Sequence, residues 1–472
     1  MVARAYDILR GMDTHIHEIP TEAQTTSESG DTLVGNDWAR MSERIPVDIA
    51  SFAQETKALQ RKRKVKSAMD LLRLVLAYSV CDWSLRAVGI WATVIELACL
   101  SDVAVRKRLR NTQAWLGQII GTWLQQRHTE LGPRPVVLRL IDATHVSQPG
   151  SRRTDWRLHA DFDLGAFRIS NMEVTDIKGG ETLTRHVAQA NEVIVADRGY
   201  AHRRGLGETL AALAYVVVRI NSTNLPLETQ EGAPFDLLRW LQSVPQPSLS
   251  REASVWVTTP QGRFELRLIA KPLPKEVAEA ARRRVRQYSR KKGYTPSQIS
   301  LVAAGFVLMV TNLSVSAWAT DQVLALYRLR WQVELLFKRL KSILDLDALR
   351  AKDPTLARVY LLGKLIGLMM LEDWSDALSR HLPHWFADVA RPLSPWRWMC
   401  LWTDLLRQAI RGPMNLARVL AALPNLGRYL RGPPRRRRQQ AAYARQWINA
   451  FTIPVRMSHV VTQHEPIPAL LS

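Results

Sequence analysis

The sequence predicts an α/β fold in which helices flank a mixed β-sheet, with helical regions before and after the sheet along the chain. Short β-rich runs lie between residues 136 and 220, and helix-like stretches precede the last two of them. Three closely spaced strands followed by strands that alternate with helices indicate a mixed sheet covered by helices. Apolar residues at spacings of three and four, the period of a helix, fill residues 47–130 and 320–380.

The composition divides the 472 residues into four consecutive segments. Residues 1–45 are polar and are predicted to form a mobile arm. Residues 46–130 are predicted to be an all-α domain, because they show the helical period and no strand-like alternation. Residues 131–380 hold the predicted sheet, with a β-rich insertion at 221–318. Residues 381–472 are predicted to be a helical region that ends in a basic tail.

Two local features of the predicted sheet domain follow from turn and helix signals. The run ASVWVTTPQGRFELRLIA predicts a β-hairpin, with Pro260 and Gly262 marking its turn. The run ETLTRHVAQA, before the fourth strand, predicts a helix.

The charge of the chain favours a polyanionic partner. Lys and Arg number 65 and Asp and Glu number 43, which gives a formal net charge of +22. Cations placed on phosphates release condensed counterions, so this excess favours nucleic acid. A membrane surface is less favoured, because no run of about 18 uncharged apolar residues is present. We therefore expect no membrane partner.

The expected location is the cytoplasm. The N-terminal residues lack the apolar core and cleavage pattern of a secretory signal. The three cysteines, Cys81, Cys99 and Cys400, are scattered singly and are predicted to be buried thiols in a reducing compartment.

Two aspartates end similar apolar runs. Asp142 ends VVLRLID, and Asp197 ends EVIVAD and is followed by Gly199, which suits a tight turn. Each aspartate alone is more typical of a turn or cap residue. Together they suit two-metal phosphoryl chemistry, in which carboxylates from adjacent elements hold two Mg²⁺ ions about 3.5 to 4 Å apart. A third carboxylate is then needed.

The third acid is predicted in the run LALYRLRWQVELLFKRLKSIL. Tyr327, Arg330, Glu334 and Lys341 lie at offsets of 0, 3, 7 and 14, so on one continuous helix they share one face. A separate apolar stripe would let that helix pack while it presents Glu334. The stripe consists of Leu326, Leu329, Val333, Leu336 and Leu340.

This segment resembles the Y-x2-R-x3-E-x6-K signature of DDE transposases from bacterial insertion sequences, in the group founded on insertion sequence four. The DRGY around Asp197 looks like the second-aspartate motif of that family, and the DAT at Asp142 looks like its first. TDIKGGE, VTNL and RWQVELLFKRLK are also similar to family sequence, so the resemblance covers roughly residues 130–370. The RNase H-like fold that the resemblance implies has the element order described above.

The resemblance implies a metal-dependent enzyme that cuts transposon ends and joins them to target DNA. Asp142, Asp197 and Glu334 would be the catalytic residues and would bind two Mg²⁺ or Mn²⁺ ions per active site. Tyr327, Arg330 and Lys341 would position phosphates of double-stranded DNA, at the terminal inverted repeats and the target. The resemblance also implies a homodimer in the synaptic complex and a bacterial protein associated with the nucleoid.

Further DNA contacts are predicted from clusters of basic residues. Ser101 and Asp102 suit the N-terminal cap of a helix that could recognise DNA, so residues 46–130 are predicted to be a DNA-binding domain. A second cluster in the insertion favours the wall of a DNA channel. The candidates are Arg198 after the second aspartate, Arg106, Lys107, Arg108 and Arg110 in the first cluster, and Arg282, Arg283, Arg284 and Arg286 in the second. The role of the tail cluster, residues 435–438, stays open.

Two other classes of protein remain possible from the sequence. A catalytically silent, transposase-derived regulator would need the basic surfaces but not the three acids. An RNase H-like nuclease without strand transfer would need the acids but has less use for several separate basic clusters. Metal-dependent nicking excludes the first, and joining of a 3′-hydroxyl end to a target duplex excludes the second.

Overall fold

The computed structural model describes residues 37–130, 132, 136–243, 249–381, 383 and 393–412. These residues form two compact units. The sheet unit comprises 136–144 and 157–336, and the helical unit comprises 37–130, 145–156 and the described residues from 337 to 412. The division into four consecutive segments stays a prediction.

The sheet unit contains the predicted mixed sheet, which has eight strands. Neighbouring strands follow the order β3-β2-β1-β4-β5-β8-β7-β6. β1, β4 and β5 pair in parallel, whereas β8, β7 and β6 continue the sheet by antiparallel pairing. The strands are β1 Val137–Val146, β2 Trp156–Asp163, β3 Arg168–Asp176, β4 Glu192–Ala196, β5 Tyr215–Ile220, β6 Arg251–Thr259, β7 Gly262–Pro272 and β8 Phe306–Thr311.

The central strands are apolar because both of their faces are covered. All five residues of β4 are buried, as are the first four of β5. A parallel strand between two neighbours, with packing on both faces, has a continuous apolar run rather than an alternating one. These two strands therefore hold the centre of the sheet.

The region 221–318 extends this same sheet. The predicted hairpin is confirmed as β6 and β7, and the Thr259 hydroxyl donates to the Gly262 carbonyl across the turn at 2.8 Å. β8 joins the hairpin to β5. The helices of this unit are α7 Arg203–Ala211, α8 Leu237–Gln242, α9 Lys275–Lys292, α10 Gln298–Ala303, α11 Thr320–Arg328 and the first part of α12 Trp331–Ile343.

The helix predicted over residues 181–190 is wrong. Only a short 3₁₀ turn, Leu183–Arg185, forms there. Thr182 accepts a hydrogen bond from the Thr184 backbone N–H, and the Arg185 guanidinium donates to the Glu173 carboxylate at 2.9 Å. Hydrogen bonds from side chains to the backbone compete with the backbone hydrogen bonds of a helix. Here these side-chain contacts override the helical pattern of the local sequence.

The helices of the helical unit confirm the helical pattern predicted for residues 47–130. They are α1 Asp37–Ser42, α2 Ile49–Glu55, α3 Ala68–Ser79, α4 Leu85–Val94, α5 Asp102–Arg110, α6 Gln113–Glu130, α13 Pro354–His381 and α14 Pro395–Arg411, together with the end of α12.

Two local predictions about this unit have clear outcomes. The Ser101 hydroxyl accepts from the Ala104 backbone N–H at 3.3 Å, which confirms the predicted cap of α5. The predicted mobile arm, 1–45, is wrong over α1, where Trp38 and Met41 are buried. Residues 1–36 lie outside the described residues. Cys81 is buried as predicted, but Cys99 is exposed.

One helix among the described residues, Pro354–Arg380, is long and apolar enough to cross a membrane by length and composition alone. However, 83% of its apolar window is buried inside the structure. A core helix of a folded chain has the same length and composition, so this helix is weak support for a membrane span.

A buried lysine on α13 forms hydrogen bonds with the backbone just after α12. Lys364 has no exposed side-chain surface, and its ammonium donates to the carbonyls of Leu344 and Asp345 and to the Asp82 carboxylate. Burial lowers the pKa of Lys364, and the Asp82 charge opposes that change. The lysine therefore satisfies carbonyls just beyond the C-terminal end of α12.

We predict that Lys364→Met destabilises the protein strongly, because the change leaves two carbonyls without their donor and removes the buried ion pair with Asp82. Breaking a buried pair in this way costs about 3 kcal/mol or more. Urea unfolding followed by circular dichroism measures the loss. Lys352→Met, at an exposed lysine of the same unit, is the matched control. Equal stability of the two variants would contradict this role of Lys364.

Candidate active site

The two predicted aspartates occupy matching positions of two paired parallel strands, Asp142 within β1 and Asp197 directly after β4. β1 and β4 pair with Leu140 opposite Val195. Asp142 and Asp197 each follow two residues later, so the same register places them opposite one another. The backbone pairing of the two strands therefore places the aspartates opposite one another, and no direct contact between their side chains is required for this placement.

Asp142 is held by a backbone donor and an arginine. The Ala143 N–H donates to one of its carboxylate oxygens at 2.9 Å, and the Arg330 Nη1 donates to the other at 2.9 Å. Burial, reinforced by the nearby charges of Glu334 and Asp197, raises the pKa of Asp142 to about 6 against the opposing effect of Arg330. Burial is the largest cause of this raised pKa, and the neighbouring acids add to it.

Asp197 has the opposite shift. It follows β4 directly, precedes the 3₁₀ turn Arg198–Tyr200, and accepts a hydrogen bond from the Tyr327 hydroxyl at 2.8 Å. Burial acts to raise its pKa, but the Arg198 backbone N–H, the Arg330 charge and the Tyr327 hydroxyl outweigh burial, so the pKa of Asp197 is lowered. The structure thus favours an ionised Asp197.

Tyr327, Arg330 and Glu334 do not lie on one continuous helix, so that prediction is wrong. α11 ends at Arg328 and α12 begins at Trp331. The Arg330 N–H donates to the Tyr327 carbonyl at 3.1 Å, a bond over three residues that tightens the chain at the junction. No Pro or Gly stands at this junction, so nothing in the local sequence signals the break.

The break leaves the packing prediction intact. Every member of the predicted apolar stripe is buried, which confirms that both helices pack through it. The buried residues are Leu326, Leu329, Val333, Leu336 and Leu340.

Arg330 joins two of the three predicted acids. Its Nη1 contacts Asp142, and its Nη2 donates to the Glu334 carboxylate at 2.5 Å. Its guanidinium carbon lies 5.8 Å from the centre of the Tyr327 ring. Burial acts to lower the pKa of Arg330, but Tyr327 and the acids around it outweigh burial and raise that pKa. The arginine is therefore the counterion of the acidic cluster.

The three acids suit a divalent cation in chemistry, and an arginine lies between two of them. Carboxylate oxygens are ligands that Mg²⁺ prefers, and the three acids carry more negative charge than one arginine neutralises. Among the described residues, however, no group of three or more His, Cys, Asp or Glu side chains is arranged to hold a metal ion. The guanidinium of Arg330 stands between Asp142 and Glu334 instead.

Sequence reasoning missed Arg219. β4 and β5 pair with Ala196 opposite Val218, so Arg219 comes opposite Asp197 one residue later. Its charge lowers the pKa of Asp197, together with the stronger effects described above. Arg219 could have been found from sequence only if the register of the two strands had been known.

Sequence reasoning also missed a buried polar network in the sheet unit. The His186 Nδ1 bonds the fully buried carboxylate of Asp161, and the Arg139 guanidinium lies 3.4 Å from that carboxylate. Mg²⁺ prefers oxygen ligands, so a structural role is expected for this histidine rather than metal binding. Its bond to Asp161 gives His186 such a role. The network supports β1 and β2 from within the core.

The other predicted DNA contacts differ in their exposure and in their partners. Lys341 lies seven residues beyond Glu334 on α12 and is partly exposed, and Arg198 is exposed. Lys107 is exposed on α5, whereas Arg108 is half-buried. Arg106 and Arg110 lie 3.5 Å and 3.2 Å from the Asp353 carboxylate.

The predicted cluster on α9 is partly internal. Arg282 donates to the Leu301 carbonyl at 3.3 Å and to Glu279 at 3.2 Å, so its side chain is used inside the fold. Arg283, Arg284 and Arg286 are exposed. Residues 435–438 lie outside the described residues.

Comparison with known proteins gives consistent matches. A family model described as the transposase DDE domain matches residues 135–370. The chain is 37% identical over 350 residues to InsL of insertion sequence element IS186A from Escherichia coli (strain K12), which covers 72% of this chain and 94% of that relative. It is 36% identical over 351 residues, with the same coverage, to the transposase for insertion sequence element IS421 from Escherichia coli.

A more distant relative matches over a longer stretch. The transposase for insertion sequence element IS231F from Bacillus thuringiensis subsp. israelensis is 22% identical over 431 residues, covering 81% of this chain and 88% of that relative. The matched family region contains both aspartates, Tyr327, Arg330 and Glu334. The chain therefore belongs to the DDE transposase family of bacterial insertion sequences.

Proposed function

We propose that this chain is a cut-and-paste DNA transposase, which cleaves DNA at transposon ends and transfers the ends into target DNA. The observation that carries the proposal is that Arg330 contacts Asp142 and Glu334 while Tyr327, three residues before it, contacts Asp197. We further propose that the sheet is RNase H-like. Its order β3-β2-β1-β4-β5, with β1, β4 and β5 parallel, supports that assignment.

Asp142, Asp197 and Glu334 would hold two Mg²⁺ or Mn²⁺ ions. When bound, such ions supply Lewis acidity at the scissile phosphate and lower the pKa of an attacking hydroxyl or water. The residues of the chain prepare the site for this chemistry. Tyr327 keeps its hydroxyl proton, since burial and the Asp197 charge raise its pKa to about 12, and it donates that proton in a hydrogen bond to Asp197.

Cations around the acids would bind the DNA backbone. Arg330 can contact a phosphate with two N–H groups, and Arg219 stands beside Asp197 in the strand register. Lys341, about 10 Å along the helix axis from Glu334, would hold a flanking phosphate. Arg198 is exposed directly after Asp197 and would do the same.

More distant basic surfaces would bind DNA away from the reacting bond. α5 presents Lys107 together with Arg106 and Arg110, whose guanidinium groups Asp353 holds in place. α9 presents Arg283, Arg284 and Arg286. Arg108 and Arg282 contribute less direct contact in this proposal, because they are less exposed.

The proposed setting is the bacterial cytoplasm, at the nucleoid, where the DNA lies. A homodimer would process both transposon ends together in a synaptic complex. The likeness to transposases over most of the chain supports DNA as the partner.

Two alternatives make different predictions. A silent DNA-binding regulator would bind end DNA without nicking it in Mg²⁺, and the retained acids disfavour it. A nuclease without strand transfer would nick DNA but would not join a 3′-hydroxyl end to a target duplex. Mapping the cut and joined strands with and without Mg²⁺ separates all three functions.

We predict that Glu334→Gln lowers the cleavage rate at transposon ends by at least about a thousandfold, because a metal ligand is worth several kcal/mol in the transition state. Binding of end DNA is retained, since the change removes no cation that contacts a phosphate. Cleavage and gel-shift assays on the same preparations measure both effects. Glu130→Gln, at an exposed acid, is the matched control. Normal cleavage by Glu334→Gln would refute the catalytic assignment.

We predict that Lys341→Ala weakens binding of end DNA and reduces the slope of log affinity against log salt by about 0.9, the value for one phosphate contact. Fluorescence anisotropy at several salt concentrations measures the slope. Lys352→Ala removes an exposed lysine elsewhere and should leave the slope unaltered. If both variants keep the wild-type slope, Lys341 does not contact a phosphate.

A further inference from the structure

Arg330 lies between two of the acids that the proposed metal site requires. Its Nη1 and Nη2 contact one oxygen of Asp142 and one of Glu334, so a single guanidinium bridges the two acids. Only 14% of its side chain is exposed. Any cation that binds both carboxylates must compete with this bridge.

The competition is direct where a metal ion would use the two carboxylate oxygens that face each other across the guanidinium. The other oxygen of Asp142 already accepts the Ala143 N–H. A divalent ion placed between Asp142 and Glu334 would use the facing oxygens that Arg330 now contacts, and its charge would repel the guanidinium. Metal and arginine cannot both occupy this position.

One N–H group of the Arg330 guanidinium, at its buried Nε, nevertheless has no hydrogen-bond partner among the described residues. A buried donor without a partner is unfavourable, and an arginine on a phosphate can use its N–H groups in pairs. Arg330 also stands in the break between α11 and α12, outside both regular helices. A DNA phosphate near this break would be a competing partner for it.

We propose that Arg330 makes metal binding depend on DNA: it holds Asp142 and Glu334 closed in the free protein and moves to a phosphate when DNA binds. This inference rests on the proposed function. Binding linkage is reciprocal, so DNA tightens metal binding and metal tightens DNA binding by the same factor. The device would keep the free enzyme from assembling its metal site away from a transposon end.

The test is Mn²⁺ binding by the full-length chain, followed by the paramagnetic resonance signal of free Mn²⁺. Each protein is titrated alone and with a short duplex that carries the terminal sequence of its own DNA element. We expect DNA to tighten Mn²⁺ binding by wild type at least about tenfold, within the usual range of such coupling. Arg330→Gln should bind Mn²⁺ tightly without DNA, and DNA should then add less than about threefold.

Two variants separate the bridge from simple loss of positive charge. Arg330→Lys keeps the charge, but one ammonium replaces the fork that joins two carboxylates, so Mn²⁺ binding without DNA should still tighten. Lys352→Ala, the control, loses a charge at an exposed lysine outside the site. It should keep the weak binding of wild type without DNA. Thermal melting of each variant checks that it is folded.

The outcomes distinguish this inference from the proposed function. If Glu334→Gln abolishes Mn²⁺ binding but Arg330→Gln and Arg330→Lys match wild type without DNA, the metal site is correct and the inference is wrong. If Glu334→Gln leaves Mn²⁺ binding with DNA unchanged, the metal site itself is wrong, and both proposals fall.

Discussion

The pairing of β1 with β4 is the constraint on which the site depends. Parallel strands in register place Asp142 opposite Asp197, so two carboxylates meet although 55 residues separate them in sequence. Both strands are buried, and a shift in register by one residue would turn every side chain of a strand to the other face of the sheet. The apolar core therefore fixes the distance between two charged groups. α11 and α12 then only need to bring Tyr327, Arg330 and Glu334 to that fixed pair.

The acids differ in their environments, and the difference follows from their partners. Burial dominates at Asp142 and raises its pKa, whereas Asp197 receives a backbone N–H and a tyrosine hydroxyl that lower its pKa. Arg330 offsets the charge of the cluster as a whole. In a protein that acts on DNA, this arginine has two possible anionic partners, the carboxylates and the phosphates. The same electrostatics that stabilise the free site therefore oppose the assembly of a metal centre.

Much of this arrangement could be predicted from the sequence because it depends on local patterns. The apolar runs before Asp142 and Asp197, the hairpin turn at Pro260 and Gly262, and the apolar stripe of α11 and α12 all follow from residue order. What failed depends on contacts between distant residues. The break at Leu329 and Arg330 has no Pro or Gly to mark it, and the 3₁₀ turn at Leu183–Arg185 replaces a predicted helix where side chains bond elsewhere. Arg219 required the strand register, and the internal bonds of Arg282 required the position of α10.

The most direct test of the account is anomalous X-ray diffraction at the manganese edge, from crystals of the chain bound to transposon-end DNA and Mn²⁺. The account predicts anomalous peaks in direct contact with the carboxylates of Asp142, Asp197 and Glu334. Peaks that contact other residues, with DNA bound and these three carboxylates free of metal, would contradict it.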